Sequence, residues 1–131
     1  MIVDSSVLVA CLKKEDDYES WTRQLHDAKP HLKLSAASYL EMSIVIDGSG
    51  DDNASANLDL FLDRLLIEIL PVTAQQARLA RAAYARFGKG RDHPARLNFG
   101  DCFSYALSAE TGEPLLFKGK DFGHTDVRVA D

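Results

Sequence analysis

Short apolar segments alternate with longer helical segments along the chain, and this alternation restricts the fold more than any other feature. Short apolar strands separated by helices are typical of a parallel sheet that is covered on both faces. The chain is therefore predicted to be α/β, with a short, mostly parallel central sheet flanked by α-helices on both sides. Strands are predicted at residues 2–3, 32–34, 67–72, 114–117 and 127–129. Helices are predicted at residues 5–13, 17–28, 36–47, 53–66, 73–87 and 99–110, with Thr73 and Gln76 as a capping box at the start of the fifth.

The length and composition are those of a single soluble globular domain. With 131 residues, 46% apolar and 27% charged, the chain is predicted to form one domain, residues 1–131, around one core. No apolar stretch approaches the roughly 20 residues of a membrane span, and the start, Met1–Asp4, lacks the basic region of a signal peptide. Cys11 and Cys102 lie in apolar helical segments without metal-ligand spacing, which predicts core residues in a reducing cytoplasm.

The distribution of charge is compatible with a locally bound polyanion. A net charge of −5 argues against a protein that coats nucleic acid in general. Basic residues nevertheless predominate between positions 78 and 96, where Asp92 is the one acid, so this segment is able to bind a polyanion. A solvated helix face followed by a loop explains the same pattern equally well.

Asp4 lies directly after the first predicted strand and directly before the first predicted helix. In open α/β sheets, ligands bind at the carboxyl ends of the strands. Ser5 and Ser6 follow, and their hydroxyls are suited either to binding a ligand or to capping the helix. We expect Asp4 to contact a ligand directly and one of the two serines to cap the helix.

Three further acids lie in comparable positions. Glu41 is inside an otherwise apolar helix, Asp101 opens a helix, and Asp121 follows the strand at 114–117. Taken singly, Asp4 is explained as the cap of the first helix, Asp101 as a partner of a helix dipole, and Asp121 and Glu41 by exposure to solvent. Taken together, the four acids are expected to converge at one edge of the sheet, where carboxylates repel one another. Mg²⁺ or Mn²⁺ relieves that repulsion, because both ions prefer oxygen ligands.

Other common catalytic motifs are missing from the sequence. There is no Gly-rich phosphate-binding loop and no Gly-x-Ser-x-Gly elbow. A dehalogenase-like phosphatase also has an Asp after its first strand, but it needs a second acid two residues later, and Ser6 occupies that position. Four histidines show no metal-ligand spacing and are assigned no ligand role: His26, His31, His93 and His124.

Four segments occur in a recognisable order, namely Ile2–Ser6, the helical Glu41, Asn98–Cys102 and Leu116–Phe122. Together, over residues 2–129, they resemble the PIN-domain ribonucleases, and among these the VapC toxins of bacterial VapBC toxin–antitoxin pairs. The resemblance implies a PIN-like fold with an acidic pocket that binds Mg²⁺ or Mn²⁺. The implied activity is endonucleolytic hydrolysis of RNA phosphodiester bonds.

The resemblance also implies roles for individual residues. Asp4 and Asp101 are expected to hold the cation directly, while the other acids complete its shell or activate water. Asp126 is a further candidate for an acid near the site, but it matches the family pattern less closely. The full implied catalytic set is Asp4, Glu41, Asp101, Asp121 and Ser6. The residues expected to bind RNA phosphates are Lys89, Arg91, Arg96, Lys118 and Lys120.

A homodimer and a cognate VapB-type antitoxin are the partners that the resemblance implies. The C-terminal segment of such an antitoxin occupies a groove that leads to the active site. Val9–Leu12, Trp21–Leu25 and the helix at 53–66 have apolar stripes suited to such a groove, although ordinary core packing explains them equally well. The alternative function is a non-catalytic PIN-like module that binds RNA or a partner.

Overall fold

The computed structural model describes residues 1–130, which form six α-helices and four short β-strands. The strands are β1 (Ile2–Val3), β2 (Lys33–Ser35), β3 (Glu68–Leu70) and β4 (Leu115–Leu116). The helices are α1 (Ser5–Leu12), α2 (Tyr18–Ala28), α3 (Ala36–Asp47), α4 (Asp52–Arg64), α5 (Ala74–Phe87) and α6 (Asp101–Thr111). One turn of 3₁₀-helix spans Phe122–His124. Within residues 1–130, no helix has the length and apolar character required to cross a membrane.

The four strands form one parallel sheet in the order β3-β2-β1-β4. Ile2 pairs with Lys33 of β2 on one side and with Leu115 of β4 on the other. The chain therefore adds β2 and β3 on one side of β1 and later adds β4 on the other side. This reversal is a topological switch point, and in such sheets the carboxyl end of the strand faces a ligand-binding crevice.

The two residues of β1 point to opposite faces of the sheet, as alternate residues of a strand do. Val3 packs in a cluster formed mainly by α1 to α4, and Ile2 packs in a second cluster with α5 and α6. Both side chains are completely buried. Helices therefore cover both faces, and the predicted fold class is confirmed. Cys11 and Cys102 are buried and free, one in each cluster, as predicted.

Several local predictions were wrong in detail, and strands β3 and β4 are shorter than the segments predicted at 67–72 and 114–117. The strand predicted at 127–129 is reduced to one parallel bridge between Leu115 and Val129. Helix α6 begins at Asp101 rather than residue 99. Thr73 caps α5 by accepting the Gln76 backbone N–H at 3.1 Å, but the Gln76 side chain does not return to the cap. It instead donates to Glu110 of α6 at 3.5 Å, because α5 and α6 pack side by side.

Candidate active site

The four acids singled out in the sequence come from four separate elements. Asp4 follows β1, Glu41 lies on α3, Asp101 opens α6, and Asp121 lies in the loop after β4. Contacts join three of these elements directly: Ser5 donates to Glu41 Oε1 at 2.9 Å, and Ser104 of α6 donates to Asp4. Asp121 is near enough for its charge, like those of Asp4 and Glu41, to act on Asp101. The acids therefore lie near one another at the carboxyl edge of the sheet.

Asp4 is held by hydrogen bonds to both of its carboxylate oxygens. Its Oδ2 accepts the backbone N–H of Ser6 at 3.0 Å, and its Oδ1 accepts the hydroxyl of Ser104 at 2.6 Å. Asp4 itself is therefore the N-cap of α1, so the prediction that Ser5 or Ser6 caps this helix was wrong. The reason is that Asp4 has the extended backbone of a cap residue. Each oxygen keeps a second lone pair for another ligand.

The two serines after Asp4 connect α1 to neighbouring elements. The Ser5 hydroxyl fixes the Glu41 carboxylate. The Ser6 hydroxyl accepts the backbone N–H of Lys118 at 3.0 Å and so anchors the start of the loop that contains Asp121. Ser5 consequently orients Glu41, and Ser6 fixes the backbone three residues before Asp121, although neither serine caps the helix.

Ser104 is a site residue that the sequence reasoning missed. It lies on α6 three positions after Asp101, so both side chains share one helix face. Its hydroxyl is buried and lies 3.2 Å from the hydroxyl of Ser38 on α3. The i, i+3 spacing from Asp101 was the one available signal, and serine in an apolar helix is too common for that signal to stand alone.

Asp101 is fixed by a reciprocal pair of hydrogen bonds with Asn98. The Asn98 N–H donates to Asp101 Oδ2 at 3.0 Å, and the Asp101 N–H donates to Asn98 Oδ1 at 2.9 Å. Burial is the main reason why the pKa of Asp101 is raised to about 7, and the Asn98 N–H opposes this rise. Smaller upward contributions come from the charges of three carboxylates: Asp4, Glu41 and Asp121.

Glu41 is a half-buried carboxylate in the same negative environment. Burial is the main cause of its raised pKa. The hydrogen bond from the Ser5 hydroxyl opposes this rise, and the charge of Asp4 adds to it. No Lys or Arg side chain within residues 1–130 forms an ion pair with any of the four acids. The site therefore has an excess of negative charge without an internal counter-ion.

The donor atoms of the site suit a hard divalent cation. They are carboxylate and hydroxyl oxygens, the ligands that Mg²⁺ and Mn²⁺ prefer. Within the described residues, no group of three or more His, Cys, Asp or Glu side chains is arranged to hold a metal ion. Mg²⁺ typically binds through one or two carboxylates plus water, so the chemistry of this donor set fits such an ion.

Asp126, the looser candidate acid, has other contacts. Its carboxylate accepts the Tyr105 hydroxyl at 2.6 Å and lies 3.4 Å from the Arg86 guanidinium. The Tyr105 hydrogen bond is the largest cause of its lowered pKa. These partners tie the loop after the 3₁₀ turn to the α5–α6 layer.

The basic residues fall into two groups. Lys89, Arg91 and Arg96 are exposed on the loop between α5 and α6, which includes an open depression. Lys120 is exposed in the loop after β4. Lys118 differs, because its ammonium group contacts Glu15 at 2.5 Å and Asp17 at 2.9 Å. Its charge is therefore already engaged by two carboxylates.

A groove of about 400 Å³ runs between the end of α1, the start of α2 and α4. Its apolar lining includes Leu12, Leu60 and Phe61, and Thr22 of α2 is also exposed to it. Leu25 is fully buried in the core, so only part of the predicted Trp21–Leu25 stretch borders the groove. Three basic residues line the groove against one acid: Lys13, Lys14 and Arg64 against Asp51.

Comparison with known proteins identifies the family. The PIN domain family model matches residues 1–128. The chain is 53% identical to ribonuclease VapC28 of Mycobacterium tuberculosis over 130 residues, covering 99% of this chain and 97% of that protein. It is 49% identical to ribonuclease VapC of Mycolicibacterium smegmatis over 127 residues, covering 97% of each. The chain therefore belongs to the PIN-domain family, and these relatives are named as VapC ribonucleases.

Solved structures agree on the fold. Mycobacterium tuberculosis VapC20, described as a sarcin–ricin loop cleaving toxin, aligns with a TM-score of 0.79 at 17% identity, covering 98% of this chain and 97% of that one. VapBC2 of Rickettsia felis, solved bound to a promoter DNA fragment, aligns with a TM-score of 0.72 at 16% identity, covering 99% and 96%. At such identities the likeness concerns the fold alone.

Proposed function

We propose that the chain, as a single PIN domain over residues 1–131, is the toxin of a type II toxin–antitoxin pair and a Mg²⁺- or Mn²⁺-dependent endoribonuclease. The observation that supports this most strongly is the gathering of four carboxylates at the switch point of the sheet without a basic counter-ion. The half-identical VapC ribonucleases support the same activity. The free buried cysteines are compatible with a reducing cytoplasm as its location.

In the proposed mechanism, Asp4 and Asp101 hold the cation, and Glu41 and Asp121 complete its shell. When bound, the cation neutralises charge on the phosphodiester and activates water. Hydrogen bonds keep the Asp4 and Asp101 carboxylates in place before substrate arrives, which lowers the cost of ordering them. Glu41 or Asp121 orients the attacking water or accepts its proton.

RNA binding is assigned to exposed basic residues of the α5–α6 loop, which precedes Asp101, and of the loop after β4, which contains Asp121. Lys89, Arg91 and Arg96 on the α5–α6 loop, with Lys120, contact phosphates in this proposal. Lys118 contributes least, because a phosphate would have to compete with Glu15 and Asp17 for its ammonium group. Phosphate contacts of this kind give affinity that falls steeply with added salt.

The antitoxin is proposed to bind in the groove between α1, α2 and α4. Its apolar floor and its excess of basic residues suit an acidic, amphipathic segment. The Rickettsia felis neighbour is a VapBC structure, which is compatible with such a partner.

A homodimer is proposed on the basis of exposed apolar side chains. Leu40, Ile44 and Val45 of α3 are 59%, 63% and 44% exposed, and Phe99 before α6 is 78% exposed. A second copy would remove this apolar surface from water.

The double variant Leu40→Asp, Ile44→Asp is expected to be a monomer in sedimentation velocity. An unchanged mass would contradict a dimer that forms through α3.

The cleavage activity is tested with an isosteric substitution. Asp101→Asn keeps the size of the side chain but removes its charge, so we expect loss of Mn²⁺-dependent cleavage of RNA in a folded protein. Asp27→Asn, an exposed position on α2, is the matched control and should cleave as the unmodified protein does. Wild-type cleavage by the Asp101→Asn variant would contradict the assignment. Failure of the unmodified protein to cleave any RNA with Mn²⁺ would favour the non-catalytic module.

A further inference from the structure

Gly100 is a buried glycine that its backbone conformation does not explain. It lies at the start of α6 with φ −64° and ψ −39°, a right-handed helical conformation that any L-amino acid adopts. Four other glycines do have the positive φ that favours this residue type: Gly50, Gly90, Gly112 and Gly119. Glycine at position 100 must therefore serve some other purpose than conformational freedom.

The explanation lies in the space around its Cα atom. A Cβ at position 100 would lie 1.7 Å from Oε2 of Glu41, 2.4 Å from its Cδ and 2.8 Å from its Oε1. All three separations are shorter than real Cβ contacts. The carboxylate of Glu41 thus occupies the volume that a side chain at position 100 would need.

The three atoms nearest to such a Cβ all belong to the end of the flexible Glu41 side chain. Alanine at position 100 would therefore be accommodated by movement of the Glu41 carboxylate, while α6 stays in place. That movement would break the 2.9 Å hydrogen bond from Ser5 to Glu41. It would also take the Glu41 charge away from its present position near Asp101.

We propose that Gly100 is a positioning residue for Glu41: the missing side chain admits the Glu41 carboxylate to the acidic site, where the Ser5 hydroxyl fixes its orientation. The part of this inference that concerns the cation rests on the proposed function, because there Glu41 helps to complete the shell. The part that concerns the carboxylate stands on the geometry alone.

The test is a calorimetric titration of the full chain with Mn²⁺. Gly100→Ala is expected to weaken Mn²⁺ binding by roughly tenfold or more, the usual effect of losing a residue that orients a ligand. Its unfolding temperature should be unchanged or higher, since the backbone conformation suits alanine. Gly123→Ala is the matched control, because a Cβ there meets no atom within 4 Å, and it should bind Mn²⁺ as the unmodified protein does.

A second variant distinguishes positioning from general damage. Glu41→Asp shortens the acid and leaves room for a methyl group at position 100. In that background we expect Gly100→Ala to have little further effect, so the two substitutions are strongly non-additive. An equal loss in both backgrounds, or no loss for Gly100→Ala alone, would overturn the proposal.

Crystal structures test the positioning role of Gly100 independently of the metal-dependent function. If the unmodified protein fails to bind Mn²⁺, the metal-dependent function is wrong, and the metal-free structure of Gly100→Ala then decides the positioning role. A Glu41 carboxylate displaced from Ser5 supports the proposal. A carboxylate still hydrogen-bonded to Ser5 would refute it.

Discussion

The role proposed for the Asp4 carboxylate depends on the hydroxyl group of a single residue of helix α6. Ser104 donates to Asp4 at 2.6 Å from a fully buried position, and Ser38 lies next to it. Hydrogen bonds to charged groups typically contribute about 1.5–3 kcal/mol to stability. The Asp4 carboxylate is thereby oriented by α6, the same helix that begins with Asp101.

Ser104→Ala is predicted to lower the free energy of unfolding by about 1–3 kcal/mol and to reduce Mn²⁺-dependent cleavage. The matched control is Ser108→Ala, which removes another buried hydroxyl of α6, one that donates to the Glu113 carbonyl at 2.7 Å. Urea denaturation should show a loss of stability for both variants. Cleavage should fall only for Ser104→Ala, and equal activity of the two variants would argue against an orienting role.

The raised pKa of Asp101 predicts how stability depends on pH. Its folded-state value of about 7 lies above the value of about 3.9 expected in the unfolded chain. The folded state therefore binds more protons, and its stability should fall as the pH rises between these two values. In EDTA, the unmodified protein should lose more stability than Asp101→Asn between pH 5 and pH 8. Identical losses would show that Asp101 does not titrate in this way.

At the element scale, the two-residue strand β1 joins both halves of the core. Ile2 and Val3 were predictable as a strand because both are apolar and directly precede Asp4. The strand expected at 127–129 does not form. Val129 makes a single bridge to Leu115, and its side chain is 54% exposed. Strand-like residues form a strand only when the neighbouring chain offers a continuous partner.

Ile2→Ala is predicted to lower the free energy of unfolding by about 2–4 kcal/mol, the range for a fully buried aliphatic side chain whose loss leaves a cavity. Ile69→Ala in β3 is the matched control, since Ile69 is 43% exposed and its loss should cost about 1 kcal/mol or less. Urea denaturation measures both values. A loss for Ile2→Ala as small as that of the control would contradict the central position of β1.

The sequence allowed the four acids to be proposed, but not the contacts that orient them. Asp4, Glu41 and Asp101 stood out because each is placed at an element boundary or in an apolar helix. The Ser104 contact depends on the packing of α6 against β1, which no local pattern encodes. The Asp4 cap, by contrast, is a local contact with Ser6, two residues along the chain. The ion pairs of Lys118 likewise join residues about a hundred positions apart, so its engagement was not foreseeable.

At the scale of the whole molecule, an acidic protein presents a groove with a local excess of basic residues. Lys13, Lys14 and Arg64 line it, although the net charge of the chain is −5. Replacing Lys13 and Lys14 by Glu is predicted to weaken binding of the proposed cognate antitoxin, mainly at low salt. Lys29→Glu, at the other end of α2, is the control and should leave binding unchanged. If the replacement of Lys13 and Lys14 leaves the affinity as unchanged as the control does, the partner binds elsewhere on the protein.

In the proposed site, Asp4 and Asp101 directly hold one shared divalent cation. Crystals grown or soaked with Mn²⁺ test this through anomalous diffraction at the manganese edge. We expect an anomalous peak at coordination distance, about 2.0–2.3 Å, from carboxylate oxygens of both Asp4 and Asp101. The same peak should be lost in Asp101→Asn and retained in Asp27→Asn. A peak that contacts neither acid, or no peak in crystals saturated with Mn²⁺, would contradict the account.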